Sequence, residues 1–260
     1  DPGWFGPDSV AWRVHAEFPG MLAGGLCALM LQTLHPLALA GVHDHSNFRE
    51  DLVGRLRRTT AFVAGTSYAG DAEVRRLVGR VRAIHSRVHG QLPDGRRYAA
   101  DDPALLTWVH VSEVSQFLAG YLRYVDPQLP LAEQDRYYRE VALIAERLGA
   151  QDVPKSAQAI ADYLQHMRPQ LLCDARTREV VRLLYDAPMP SLLAKPFGAL
   201  MMQAGVDLLP DWASDLLGEH QAAWRRPLIR ASVQRTANLL RWAVRNSAAQ
   251  RARRRLLPDA

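Results

Sequence analysis

Apolar residues recur every three or four positions through almost all of this 260-residue chain, and alternation of period two never runs beyond four residues. A chain patterned in this way buries its apolar side chains only as helices packed face to face, so an all-α fold is expected. Helices are predicted over 7–18, 20–35, 48–67, 71–89, 103–124, 132–148, 155–167, 174–186, 190–206, 211–219 and 222–250. Start signals support several of them. Asp102 is a good N-cap with Pro103 at the first helical position, Pro130-Leu131-Ala132-Glu133 precedes a run that stops at Gly149, and Val153-Pro154-Lys155-Ser156 opens the next. The longest break, 90–103, holds Pro93-Asp94-Gly95 and reads as a turn within a short hairpin or loop. No repeat or Gly/Ser linker divides the chain, so residues 1–260 are expected to form a single globular domain with a basic helix and tail from about 222.

The net charge of +5 conceals an asymmetry: residues 222–260 hold ten arginines against one acid, Asp259, and the remainder is mildly acidic. With only two lysines in the chain, no helix-turn-helix signal and no aromatics interleaved in the tail, nucleic-acid binding is not expected. Residues 21–41 approach the length of a membrane span, but Gln32, His35 and Pro36 interrupt them and Gly24-Gly25 weakens their start. The reading is a buried central helix kinked or ended before Pro36, without membrane association. Cys27 and Cys173 make neither a disulfide framework nor a zinc site, which fits a reducing cytoplasm, and no Cys-x-x-Cys-His motif is present to attach heme covalently.

Candidate chemistry gathers around histidine. In the helix predicted from Asp71, residues Val74, Leu77, Val78, Val81, Ile84 and Val88 form an apolar stripe, and His85 lies on it. A neutral imidazole turned into an apolar setting is a ligand for heme iron or another transition metal. On the next helix His110 shares a face with Leu106, Val114, Phe117 and Tyr121, one turn from Glu113. Upstream lie His35, His43 and His45, followed by Arg55-Leu56-Arg57-Arg58-Thr59-Thr60. Six of the nine histidines fall between residues 35 and 110, an uneven spread that points to a site.

Five blocks carry a family resemblance: Gly6 to His15, Leu31 to Ser46, Arg55 to Thr59, Arg82 to Gly90, and Trp108-Val109-His110. Weaker matches follow at Asp135 to Tyr138 and Val153-Pro154. In order and spacing they resemble the latex clearing protein family and its relatives, among them a fungal oxygenase of the mycophenolate pathway. The resemblance implies an all-helical domain, heme b and oxygen chemistry, hence an oxidoreductase acting with dioxygen on an apolar small molecule such as an isoprenoid or a natural-product intermediate. Rubber-cleaving members hold the heme iron by a histidine three residues after an arginine, a pattern met here by Arg82 and His85. Their arginine and threonine near the heme correspond in spacing to Arg55 and Thr59, and Arg58 stands where some relatives have a lysine that reaches the iron. A protonated guanidinium is a poor metal ligand, so that difference leaves the sixth position open, or filled by water or another histidine. The acid proposed as catalytic base in the rubber oxygenases has no assignable counterpart here, and polyisoprene cleavage does not follow from fold alone.

These readings assign His85 as the proximal iron ligand, its other ring nitrogen donating to a carbonyl or carboxylate. Arg55 and Arg82 are placed to pair with heme propionates or an oxygen-derived anion, and Thr59 to hydrogen-bond near bound oxygen. His43, His45 and His110 are expected to line the distal pocket. Two alternatives remain at this point. One is a nonheme iron enzyme drawing ligands from His43, His45 and His110 with Asp44 or Glu113. The other is a noncatalytic helical binder of heme or of an apolar ligand.

Overall fold

Thirteen α-helices and one small hairpin are formed by residues 1–189, 191–243 and 247–256, which the computed structural model describes. In chain order they are α1 (Val10–His15), α2 (Phe18–Thr33), α3 (Pro36–His45), α4 (Leu52–Tyr68), α5 (Asp71–His85), β1 (His89–Gln91), β2 (Arg97–Ala99), α6 (Pro103–Tyr124), α7 (Leu131–Leu148), α8 (Ala157–Met167), α9 (Ala175–Tyr185), α10 (Lys195–Leu208), α11 (Asp211–Leu217), α12 (Arg225–Ala243) and α13 (Ala248–Leu256). The all-α expectation holds.

The centre is set by α2, whose sequence is apolar on every side and so has no face to give to water. It packs along α6 on one flank and α10 on the other. Glycines allow the first approach. A Cβ on Gly24 would overlap the Gln116 carbonyl, and one on Gly120 would overlap the Gly20 carbonyl, so the two helix backbones nearly touch. Gly24→Ala is therefore expected to push α2 and α6 apart and to cost about 1–3 kcal/mol, read as a lower denaturant midpoint at unchanged slope.

The chain turns by 102° between α2 and α3, as Pro36 requires. Proline has no N–H to continue the ladder, and the His35 side chain caps the new helix by accepting from the Ala38 N–H at 3.4 Å. No single helix among the described residues is long and apolar enough to cross a membrane. The helix α3 itself was not foreseen, because its ten residues mix glycine, alanine and three polar side chains with no clear stripe. The predicted helix 71–89 ends early, at His85, because β1 then pairs antiparallel with β2, His89 opposite Ala99 and Gly90 opposite Tyr98. The hairpin turn uses Gly95 at φ +89, a left-handed conformation that glycine adopts without strain. The helix predicted over 222–250 is divided between α12 and α13, and residues 244–246 within it lie outside the described residues.

Part of the basic C-terminal segment is structural. Asp207, at the end of α10 with its side chain fully buried, accepts from Arg123 of α6 at 2.9 Å and from Arg230 of α12 at 2.8 and 3.1 Å. In α13, Arg255 donates to the Tyr68 carbonyl at 2.9 Å. Buried or carbonyl-bound guanidinium groups of this kind serve packing, and Arg here exploits its fork of donors.

Candidate functional site

Where α2, α3, α4, α6 and the end of α5 converge, they leave a cavity of about 330 Å³. That is within the range of small-molecule sites. Its wall is mainly aliphatic, including Leu29, Leu37, Leu39, Leu56, Val88 and Leu105. Against this background a few polar side chains stand out: His85, Arg55, His45, Tyr98, Gln32 and Thr33.

His85 is the last residue of α5 and reaches the wall because Val74 and Val78 of the same stripe are anchored in the core. Its Nδ1 is buried with no hydrogen-bond partner, while Nε2, also unbonded among the described residues, keeps access to open space. Burial lowers its pKa, so the ring is held neutral, with a lone pair to offer. The expected carbonyl or carboxylate on its other nitrogen is absent among the described residues. Asp101 contributes only a charge effect, because α5 stops at His85 and brings no acceptor within bonding reach.

Arg55, in the second turn of α4, extends into the same cavity, and its guanidinium forms no hydrogen bond or ion pair among the described residues. Burial and then the like charge of Arg58 lower its pKa. A guanidinium in that position is a docking point for an anion. His45 lies at the exposed mouth, where its Nε2 meets the Tyr98 hydroxyl at 3.2 Å, and that hydroxyl donates to Asp44 at 2.7 Å. Burial, with Asp44 beside it, pushes the Tyr98 pKa up to about 12, so it remains a donor through the physiological range.

Other expected site residues do not reach this wall. Arg82, one turn before His85, points to solvent. Arg58 is exposed and taken up by an ion pair with Asp51 at 3.0 Å. Thr59 is exposed, and its hydroxyl donates back to the Arg55 carbonyl at 3.2 Å. His43 turns away from the cavity, its Nδ1 3.1 Å from Asp44 and its Nε2 beside Arg49, with Glu179 3.6 Å off. Its position in the last turn of α3 faces α9, and the ionic cluster there satisfies both nitrogens. His110 is enclosed by protein beyond the cavity wall, with Nε2 buried and unpartnered.

The nonheme alternative lacks its donor set. Among the described residues no three His, Cys, Asp or Glu side chains gather as metal ligands: His43 is held by Asp44 and Arg49, His45 is bonded to Tyr98, and neither His43 nor His110 lines the cavity. Tyr98 was missed by the sequence reading. The available signal was Gly90 opposite it across a predicted turn: a Cβ there would overlap the Tyr98 hydroxyl, so the glycine lets the ring lie over β1.

The profile of the family described as ER-bound oxygenase mpaB/B′ and rubber oxygenase, catalytic domain, matches residues 12–246. The chain belongs to this family. The match takes in α2 to α12, every wall of the cavity and all the residues just described. The chain is thus an oxygenase-family catalytic domain, and a small-molecule substrate and dioxygen are the partners the family implies in general. Comparison with curated proteins and with solved structures returned no match.

Proposed function

We propose that this oxygenase-family domain is a heme b enzyme that uses the His85–Arg55 cavity to oxygenate an apolar small molecule with dioxygen. The observation that carries the reading is the pairing, in one apolar cavity, of a neutral histidine whose Nε2 is open with an arginine that has no anion of its own. These residues fit heme. A porphyrin needs an apolar slot, one axial nitrogen and cations for its propionates, and His85 and Arg55 would supply the last two. Bound there, heme would supply dioxygen binding and activation.

The chain's own contribution is positioning and exclusion. Burial keeps His85 in its neutral ligand form at neutral pH. The leucines and valines of the wall exclude water and receive the apolar body of a substrate. At the mouth, the Asp44–Tyr98–His45 chain fixes the end of α3 against β2 and presents His45 to what enters.

Hemin titration of the purified chain tests the reading. One b-type heme per chain with a Soret band is expected, and no uptake under ample heme refutes it. Arg55→Gln is expected to weaken hemin binding about tenfold, the scale of one charge-assisted contact. With hemin dimethyl ester, which has no carboxylates, wild type and variant are expected to bind alike; an equal loss with the ester would place Arg55 in a packing role instead.

A further inference from the structure

Glu113 is a half-buried carboxyl group outside the cavity wall that, unlike Asp207, has no ion-pair partner among the described residues. It stands one turn after His110 on α6, and neither side chain makes a hydrogen bond or ion pair among the described residues. Both are half-buried, and burial shifts the pKa of each.

The pair lies farther along the helix that forms part of the cavity wall. Leu106 is on the cavity wall, and His110, Glu113 and Phe117 follow it at four, seven and eleven residues, on one face of α6. On α4, Arg55 and Leu56 line the cavity, while Val63 and Ser67 farther along reach the cluster of Phe117 and His15. On α2, Leu29 and Gln32 line it, and Gly25 lies against the Phe117 ring. The same three helices therefore carry both the cavity wall and the surroundings of Phe117 and His15. The far side is closed by Tyr137 of α7, whose hydroxyl meets His15 Nε2 at 3.1 Å.

We infer that the cavity continues along α6 into a chamber beside this pair, and that Glu113 with His110 forms a subsite there for a hydroxyl or carbonyl oxygen, so that the substrate is an apolar molecule carrying such an oxygen and not a bare hydrocarbon. The inference rests on reading the His85–Arg55 cavity as the active site. Its physical basis is the asymmetry of buried polar groups: a hydrocarbon leaves the carboxyl and imidazole unpaired, whereas an oxygen function satisfies them, and a site built to bond an oxygen rejects the analogue that lacks it. Burial holds the Glu113 pKa up at about 7, so at neutral pH and below its protonated form supplies an O–H donor. Tyr137 of α7 feels the Glu113 charge, the same phenol faces Glu140, Tyr68 and His15, and burial keeps His15 and His110 neutral.

The test compares 1-octanol with n-octane, binding measured by calorimetry and ligand-observed NMR on the full chain with and without hemin. The octanol-to-octane affinity ratio is expected to be about tenfold larger in wild type than in Glu113→Leu or His110→Phe. These apolar replacements of similar bulk spare the fold, and the octane affinity of each variant reports that the cavity is intact. A ratio unchanged in both variants overturns the subsite. So does loss of all octanol discrimination once hemin is bound, because the chamber would then belong to the cofactor. Failure to take up hemin leaves the ratio readable, so the cofactor reading and the subsite fail separately.

Discussion

His85→Ala is expected to abolish stable hemin binding, with affinity falling by more than about 100-fold, since even partners one shell out from a metal cost about 10–100-fold when removed. The fold should survive. His85 is half-buried at the end of α5 and its imidazole makes no hydrogen bond among the described residues, so loss of the ring removes no structural partner. Far-ultraviolet circular dichroism and the denaturant midpoint are expected to match wild type within experimental spread. Imidazole added to the variant is expected to restore a Soret band by entering the vacated space, an outcome specific to a lost axial ligand. Full hemin occupancy in His85→Ala without imidazole would refute the assignment and leave Arg55 and the apolar wall as the whole of the cofactor contact.

Acidification is expected to unfold the protein between pH 6.5 and about 4, and the cause is histidine burial. His15 and His110 have pKa values lowered from 6.5 to about 4 by burial, and His35 is lowered to about 4 by burial and then by Arg96. For each, the unfolded chain binds a proton that the native state refuses across this window, so stability is full above pH 6.5 and is lost as pH falls toward 4. For the two fully enclosed rings the loss is on the order of 3 kcal/mol each. Together that approaches the stability of a typical domain. Glu113 acts in the opposite sense. Its pKa, raised by burial from 4.5 to about 7, makes the native state hold a proton that the unfolded state has released, so this carboxyl destabilises as pH rises through the same range. Denaturant midpoints recorded from pH 7.5 to 4.5 are expected to fall for wild type and to fall less steeply for His15→Gln, which keeps polar contacts near Ser67 and Tyr137 without titrating. A wild-type midpoint that stays level over this range would contradict the burial argument.

Local pattern made most of the helical framework legible. The start of α6 at Pro103 after Asp102, the stop of α7 at Gly149, and the break at Pro36 all follow from backbone chemistry within a few residues of the site concerned. The stripe of α5 likewise placed His85 on the inner side of its helix, because Val74 and Val78 leave only one face to bury. Helix α3 was not legible, as its stability comes from contacts with β2, α6 and α9 rather than from its own ten residues.

The site divides along the same line. His85 and His45 were identified from residue type and pattern and Arg55 from the family resemblance, and all three reach one cavity. Arg82, Arg58, Thr59 and His43 have equally suitable chemistry, yet their directions depend on which neighbour captures them: solvent, Asp51, the Arg55 carbonyl, and the Arg49–Glu179 pair. Tyr98 entered only because the hairpin folds back on α3, bringing together residues 54 positions apart in the chain. By itself, then, the sequence determined the helical class, the central place of α2, the break before α3 and the inward face that carries His85, since each is set by periodicity or by a local backbone rule. Tertiary structure alone decided which polar side chains share a cavity and which are spent on ion pairs. The physical reason is that a cation or imidazole has several partners in reach of its chain neighbours, and only packing between distant helices determines which of them is met.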